Sequence, residues 1–318
     1  MALVRRPVPW STARAMNAPP AHDRTATTAL AATKGFPAAA ALFLFAMFCF
    51  ISMDAVAKWL TGQIDLVMIV WGRYAAQTLL LALIFGTSFP RRLRTRHVGL
   101  QTSRSLLLLT ATFFFFAGLE ALPLSETTAI FFVAPLIVVA LAGPLLGEPI
   151  GLFRWSAVAV GFGGMLIIQQ PGAATFQWAS LLPFAAATCY ALQQIATRKV
   201  TAGDAATTTL IFTTLAGTLV VSCIAPFFWE TPDWRQALAM LAMGALGGLG
   251  HFAMIVALTR APASALAPFD YSSLIWAALI GVIVFDEILP PNTLAGAAII
   301  AAAGLFVIWR ERQARRRG

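Results

Sequence analysis

The sequence predicts an all-α polytopic membrane protein, from its composition, its hydropathy pattern and the placement of its basic residues. Of 318 residues, 59% are hydrophobic and only 11% are charged, and the mean hydropathy is +0.79. Soluble domains carry about 25% charged residues, so lipid is the expected solvent for most of this chain. Runs of about 20 apolar residues, each long enough to cross about 30 Å of hydrocarbon, alternate with short linkers.

Ten such runs predict ten transmembrane helices. Residues 1–36 are rich in Ala, Pro and Thr and predict a flexible cytoplasmic tail, and residues 310–318 predict a basic cytoplasmic tail. The three cysteines lie in apolar runs, and their odd number argues against a disulfide framework. The predicted spans are 37–60, 66–86, 103–122, 127–146, 152–170, 179–197, 206–228, 236–258, 262–285 and 292–309.

The basic residues predict the orientation. If the amino terminus is cytoplasmic, 19 of the 22 Lys and Arg residues fall on the inner side, and only Lys58, Arg73 and Arg235 lie elsewhere. Both termini are therefore predicted to be cytoplasmic. A net charge of +9 suits nucleic acid, but these bases sit in tails and loops. The lipid bilayer is the predicted partner, and nucleic acid is not.

An internal repeat relates the two halves of the chain. Each half holds five spans, in repeats 37–170 and 178–309, and an odd number means that the second copy enters the membrane from the opposite side. Inverted repeats of this kind are typical of alternating-access carriers. A shift of 139 to 140 residues aligns Cys49 with Cys189, Lys58 with Arg198, Leu119 with Leu258, Pro123 with Pro262, Ser125 with Ser264 and Glu148 with Glu287.

Short motifs resemble a known family. They are Met53–Trp59 followed by Trp71–Tyr74, Leu122–Ser125 leading to Pro135 and Gly147–Glu148, and Ala263–Pro268 leading to Asp286–Glu287. Between about residues 37 and 311 the chain resembles the two EamA domains of the drug/metabolite transporter superfamily. The resemblance implies two inverted five-helix EamA repeats and a secondary transporter of a small organic metabolite in the bacterial inner membrane.

Within that family, His251–Phe252 and Ala267–Tyr271 are most similar to the bacterial riboflavin importers. Riboflavin uptake is therefore the favoured expectation. The alternatives are S-adenosylmethionine, as in the uptake carriers that the chain resembles next, or another metabolite, amino acid or drug.

Intramembrane charges are the first candidate site residues, because a charge in hydrocarbon is costly unless it is paired or faces water. Asp54 and Lys58 are four residues apart and share a helix face, and Arg73 on the second span lies at a similar depth. They predict an ion-paired cluster near the outer surface. It either contacts the substrate directly or clamps the first two helices together, and Lys58 could also snorkel outward.

A second group is predicted nearer the inner surface. His251 and Asp270 could relay a proton or hydrogen-bond a polar ligand, although a lone histidine in an apolar helix more often only packs. A flat neutral isoalloxazine suits a lining of hydrogen-bonding and aromatic groups, whereas an S-adenosylmethionine cation favours Asp54 or Asp270 as its counter-charge. The remaining candidate ligand contacts are Gln77, Gln194, Tyr271 and Trp276.

Other residues predict structural or gating roles. Pro135 and Pro268 permit kinks, and Gly248 with Gly244 permits close helix approach or tight static packing. Glu148 and Glu287 close spans at corresponding ends of the two halves and predict helix-terminus or loop anchors, rather than ligand contacts.

No enzyme is predicted. The three histidines, at positions 22, 97 and 251, form no HExxH motif, and GxSxG and P-loop sequences are absent. The sequence therefore predicts no cofactor and no metal. A channel is disfavoured because no ring of like charges is apparent. A non-transporting scaffold or sensor stays open as another class, and a homodimer stays open as an assembly.

Overall fold

The computed structural model describes residues 21–93, 95, 97–146, 151–171, 177–200 and 205–317. In these ranges the chain is helical, with short 3-10 segments and turns between helices and with no strand. The helices are α1 (Ala21–Leu60), α2 (Leu66–Phe85), α3 (Val98–Ala121), α4 (Leu124–Phe131), α5 (Ala134–Leu146), α6 (Leu152–Gln169), α7 (Leu181–Val200), α8 (Ala206–Ile224), α9 (Trp234–Arg260), α10 (Ala263–Leu266), α11 (Ser272–Phe285) and α12 (Pro291–Arg317).

Nine helical segments within those ranges are long and apolar enough to cross a membrane, and each overlaps a predicted span. Helix α7, which falls on the predicted sixth span, is not among the nine, because Gln193, Gln194 and Arg198 lower its hydropathy. Its polar half does not need to meet lipid: α7 packs between α3 and α5, and Gln193 is buried.

Large apolar side chains cover the outside of the bundle. Leu83, Ile84 and Ile283 are each at least 70% exposed, and further large apolar side chains on the same helices are more than half exposed. Soluble monomers rarely expose apolar area on this scale. The exterior is therefore built to contact lipid, as the hydropathy of the sequence predicts.

The two ends of the chain continue the helices beyond the predicted spans. Helix α1 begins at Ala21, inside the segment for which the sequence predicts a flexible tail, and its membrane-spanning part is Phe36–Leu60. The segment from Ala21 to Lys34 is rich in alanine, the residue with the highest helix propensity. Helix α12 likewise runs on to Arg317, through the predicted basic tail.

The fourth predicted span, 127–146, is two helices. Helix α4 ends at Phe131, and α5 begins at Ala134 after a turn in which the Val133 amide donates to the Ile130 carbonyl (3.1 Å). Pro135 is the second residue of α5. It has no N–H, and its ring would clash with the carbonyl of residue 131 in a continuous helix, so the helix breaks.

The ninth predicted span, 262–285, is also interrupted. Helix α10 covers only Ala263–Leu266, and a 3-10 helix from Ala267 to Tyr271 connects it to α11. Pro268 lies at the start of this 3-10 segment, where its missing N–H costs no helical hydrogen bond. The spans that occupy corresponding positions in the two halves are thus both broken.

Helices of one half contact helices of the other half in reciprocal pairs. Helix α1 packs on α9 and α11 of the second half, while its counterpart α7 packs on α3 and on α4 and α5 of the first half. Helix α2 contacts α8, α4 contacts α11, and α6 contacts α12, so these helices meet their own counterparts. A two-fold relation between two five-helix units would produce this pattern.

Glycines bring some of these helices unusually close. At the α2–α9 crossing, a Cβ added at Gly244 would lie 2.4 Å from the Cβ of Ala76 and 2.7 Å from the amide nitrogen of Gln77. At the α6–α12 crossing, Gly164 and Gly296 approach each other in the same way. A Cβ at Gly248 would meet no atom within 4 Å, so the close approach predicted for Gly244 and Gly248 exists at Gly244 alone.

Candidate functional site

The two helix breaks meet inside the bundle. Phe132, in the turn between α4 and α5, contacts Tyr271, at the end of the 3-10 segment, with ring centroids 5.3 Å apart. Phe131 contacts Tyr190 of α7 at 5.2 Å. Interrupted helices at corresponding positions of two repeats are the usual location of a carrier's binding site. These four rings therefore mark the first part of the candidate site.

Polar groups lie beside these rings. Gln194 donates through Nε2 to the Tyr190 hydroxyl at 3.1 Å, one helical turn away on α7. Asp270 is the residue before Tyr271 in the 3-10 segment, so the helix break itself determines its position. Of the predicted ligand contacts, Gln194, Asp270 and Tyr271 are thus brought to this region, together with Tyr190, Phe131 and Phe132.

Two carboxylates are unpaired within the described residues. Neither Asp54 nor Asp270 has a hydrogen bond or a salt bridge there. Both side chains are intermediate in exposure, so each keeps accessible surface although it lies at membrane depth. An ionised carboxylate in this position is stable only if it faces water or a ligand.

The predicted ion-paired cluster of Asp54, Lys58 and Arg73 does not form. Lys58 pairs instead with Glu287, and Arg73 donates through a terminal nitrogen to the Thr112 hydroxyl at 2.9 Å. The prediction was wrong because sharing a helix face does not select a partner. Lys58 lies near the end of α1 and reaches outward to the α3–α4 junction, whereas Asp54 lies one turn deeper.

Arg73 occupies a pocket that only partly satisfies it. Its guanidinium lies over the rings of Tyr74 and Phe116, at 5.3 and 5.4 Å from their centroids. Its Nε is buried and has no hydrogen-bond partner. The group lies within Coulombic range of Asp54, without a direct contact. Arg73 therefore retains capacity to donate to an anionic or carbonyl oxygen.

His251 pairs with its own helix and not with Asp270. Its Nδ1 lies 2.7 Å from the Gly247 carbonyl, which fixes Nδ1 as the protonated nitrogen and leaves Nε2 as an acceptor. The Gln77 amide nitrogen is 3.5 Å from the same Nδ1, and the ring of Phe50 packs edge-on at 4.9 Å. The predicted His251–Asp270 pair is thus absent: His251 bonds to its own helix at Gly247, and the Gln77 amide only lies beside the ring.

Trp276 faces α1. Its indole packs edge-on against Phe48, with centroids 5.2 Å apart, and its Nε1 is buried without a partner. Buried indole N–H groups normally find an acceptor, so this one is available to a ligand or a water molecule. The predicted anchor Glu148 lies outside the described residues.

Sequence reasoning missed Arg104, which it counted among the cytoplasmic bases. Arg104 is buried inside the bundle, where Nε donates to Thr197 of α7 at 2.7 Å and a terminal nitrogen donates to Thr213 of α8 at 2.6 Å. The signal was its position: α3 begins at Val98, so Arg104 is already two turns inside the helix. Arg104 ties α3 to two helices of the second half.

A separate surface cavity of about 320 Å³ opens at the end of the bundle where α1 and α2 are joined. It is lined by the α1–α2 turn and by Glu120 and Glu230. The candidate binding residues do not line this cavity.

Together these features define a class of protein. An all-helical bundle with a lipid-facing exterior, interrupted helices in corresponding positions, and unpaired charges beside aromatic rings is typical of membrane carriers.

Comparisons with known proteins agree with this class. The model of the EamA-like transporter family matches residues 37–169 and again residues 177–310. An S-adenosylmethionine uptake transporter of Rickettsia bellii is 27% identical over 272 residues, which cover 86% of this chain and 94% of that protein. A riboflavin transporter of Vibrio cholerae is 28% identical over 290 residues, which cover 89% and 97%.

A solved crystal structure has the same fold, with a TM-score of 0.60 and 18% identity over 87% of this chain and 98% of the other. The chain belongs to the EamA-like transporter family. It is therefore a multi-pass bacterial membrane transporter and not an enzyme, as the sequence predicts.

Proposed function

We propose that this protein takes up a small organic metabolite across the bacterial inner membrane by alternating access. In this proposal ten helices form two five-helix repeats of opposite orientation, with both termini cytoplasmic. The reciprocal contacts between helices of the two halves support this arrangement of repeats. The observation that carries the transport role is the meeting of two interrupted helices, at Phe132 and Tyr271, beside the unpaired carboxylate of Asp270.

The charges of the site favour an amphoteric substrate. Asp54 and Asp270 offer two unpaired carboxylates, and Arg73 offers an unsatisfied guanidinium N–H. Arg73 compensates Asp54 only at a distance, and Asp270 has no basic partner among the described residues, so a neutral ligand would leave Asp270 without a counter-charge, at a cost in the membrane interior. A ligand with cationic and anionic groups and a flat ring would satisfy the charges and stack on the aromatic side chains. S-adenosylmethionine has these features, and it is the cargo named for the Rickettsia relative.

Riboflavin, the cargo favoured by the sequence and named for the Vibrio relative, is the second candidate. The observation in its favour is the neutral and aromatic part of the site. Tyr190, Gln194 and Tyr271 offer hydrogen bonds without charge, beside the rings of Phe131 and Phe132. A homodimer remains a prediction for either cargo.

Uptake by cells that express the protein separates the two candidates. Labelled S-adenosylmethionine and labelled riboflavin are each measured against cells that carry the empty vector, with Asp54→Asn and Asp270→Asn as the test variants. The control is Asp65→Asn, because Asp65 caps α2 by accepting from Val67 and asparagine also caps helices well.

An amphoteric cargo predicts uptake of S-adenosylmethionine that both test variants lower and the control does not. If the cells take up riboflavin and Asp54→Asn does not affect that uptake, riboflavin replaces S-adenosylmethionine as the proposed cargo. No uptake of either compound, with the protein present in the membrane, would contradict both. Thermal stabilisation of the purified protein by each compound is a second measurement, because a ligand at 100 times its Kd stabilises the fold by about 2.7 kcal/mol.

A further inference from the structure

Four contacts converge at the end of the bundle where Lys58 lies, the end that the charge distribution predicts to face outward. The Lys58 ammonium is 2.9 Å from a carboxylate oxygen of Glu287. It also donates to the carbonyls of Leu122 at 2.6 Å and Leu119 at 3.3 Å. The Leu124 amide donates to both oxygens of Glu287, at 3.0 and 2.9 Å.

This arrangement is more than an ion pair, because each charge also completes a helix end. Helix α3 ends with carbonyls that lack intrahelical donors, and Lys58 supplies a donor to them. Helix α4 begins after Pro123, whose side chain cannot cap, and Glu287 accepts from the first amide of that helix. The α3–α4 junction is thus held from both sides by opposite charges.

The chain is shaped to place Glu287 there. Helix α11 ends at Phe285, and the next residue, Asp286, adopts the left-handed conformation at φ 52°. The Glu287 amide then donates to the Gly281 carbonyl at 3.0 Å. This turn directs Glu287 back over the helix. Gly281 makes room for it, since a Cβ at Gly281 would lie 2.5 Å from a carboxylate oxygen of Glu287.

The contacts cross between the two halves of the chain. Lys58 and the α3–α4 junction belong to the first half, and Glu287 follows α11 of the second half. Both charged side chains are largely buried, at 16% and 10% exposed, so solvent screens their interaction weakly. Two halves that rock against each other cannot separate at this end while these contacts persist.

We propose that Lys58 and Glu287 form a latch that holds this end of the transport path closed and must break before the path opens there. The latch rests on the proposed alternating-access function. It predicts that weakening the contacts raises the population open at this end, because a two-state equilibrium follows the free energy of contacts made in one state only. A static helix anchor predicts lower stability without any change in access.

A cysteine beneath the latch reports its state. Thr128 lies one turn below Leu124 on α4, is buried, and has a hydroxyl without a partner, so cysteine fits there with little change of volume. The rate of its reaction with a membrane-impermeant maleimide, added outside intact cells, measures opening at this end. The native cysteines are first replaced by alanine, at Cys49, Cys189 and Cys223.

Glu287→Gln is the test variant, and Asp286→Asn is its matched control, because Asp286 is the adjacent acidic residue, is exposed, and asparagine tolerates its left-handed backbone. We expect Glu287→Gln to raise the labelling rate about tenfold, equivalent to about 1.4 kcal/mol, and Asp286→Asn to leave it unchanged. Lys58→Gln should act like Glu287→Gln, and it takes its place if that variant does not reach the membrane. Equal labelling rates in the test and control variants would overturn the latch.

Charge reversal gives a sharper test. For a simple ion pair, Lys58→Glu combined with Glu287→Lys restores the interaction. In the latch it cannot, because a lysine at 287 has no acceptor for the Leu124 amide and a glutamate at 58 has no donor for the Leu122 carbonyl. The double variant should therefore label as fast as the single variants, whereas Lys58→Arg should stay slow. Restoration by the double variant would contradict the latch.

The labelling assay needs no substrate, so its result does not depend on the uptake measurement. If the labelling rates change as expected but neither S-adenosylmethionine nor riboflavin is taken up, the latch holds and both proposed cargoes are refuted. If uptake occurs and Glu287→Gln leaves labelling unchanged, transport holds and the latch is refuted.

Discussion

Substitution of one glycine tests the packing of the two halves. At Gly244 of α9, a Cβ would lie 2.4 Å from the Ala76 Cβ and 2.7 Å from backbone atoms of α2. Carbon atoms in contact prefer about 3.5–4.0 Å, so Gly244→Ala requires the helices to separate by about 1 Å. Overpacking of a well-packed site costs about 1–3 kcal/mol, and backbone atoms cannot move aside as a flexible side chain can.

Gly248→Ala is the matched control. It lies one turn further along the same helix, where a Cβ would meet no atom within 4 Å. Both variants gain about 1 kcal/mol of intrinsic helix propensity from the same substitution, so the difference between them isolates the crossing. We expect Gly244→Ala to unfold at a temperature lower than that of Gly248→Ala by about 2–6 °C.

The assay is the apparent melting temperature of the two purified proteins in the same detergent, at one heating rate. A second reading is the amount of folded protein that elutes as a single peak before heating. Equal melting temperatures would refute the close approach of α2 and α9 at Gly244. If Gly248→Ala melted at a lower temperature than Gly244→Ala, Gly248 and not Gly244 would lie on the face of α9 that packs on α2.

Three further substitutions test other parts of the structure. Arg104→Lys should lower the melting temperature, because the single ammonium nitrogen cannot occupy the positions of both Nε and the terminal nitrogen that bond Thr197 and Thr213. A lost hydrogen bond to a charged group costs about 1.5–3 kcal/mol. Arg260→Lys, at an exposed position, should leave the melting temperature unchanged. Tyr190→Phe removes the hydroxyl that accepts from Gln194, and should raise the KM for uptake about tenfold while the protein stays folded. Gly281→Ala displaces Glu287 without changing charge, and should speed maleimide labelling at position 128; an unchanged rate would count against the geometry of the latch.

The positions of the membrane helices were largely predictable from sequence. A helix in lipid must satisfy its own backbone, so a long apolar run has few alternatives. The interruptions were less predictable: Pro135 and Pro268 suggested kinks, but the full break into α4 and α5, and the 3-10 segment of Ala267–Tyr271, depend on what packs against them. Helix α7 also depends on its packing. It contains two adjacent glutamines, and it fits in the bundle because other helices cover it.

The sequence proposes single site residues, but it does not predict their contacts. Helical spacing places Asp54 and Lys58 on one face, but it does not say which helix meets that face. Lys58 therefore pairs with Glu287, 229 positions away in the sequence, and Asp54 is left unpaired. Arg104 was missed for a related reason: its nearness to a span boundary suggested a loop, and only the position of α7 and α8 shows that it is enclosed.

The most direct test of the account is the side of the membrane on which two repeat-equivalent loops lie. Thr87, between α2 and α3, and Glu230, between α8 and α9, are both exposed and occupy nearly equivalent positions in the two halves. Each is changed to cysteine in the cysteine-free protein and treated with an impermeant maleimide. Opposed repeats predict that Glu230→Cys labels in intact cells and Thr87→Cys only after permeabilisation. Labelling of both from the same side would contradict the account.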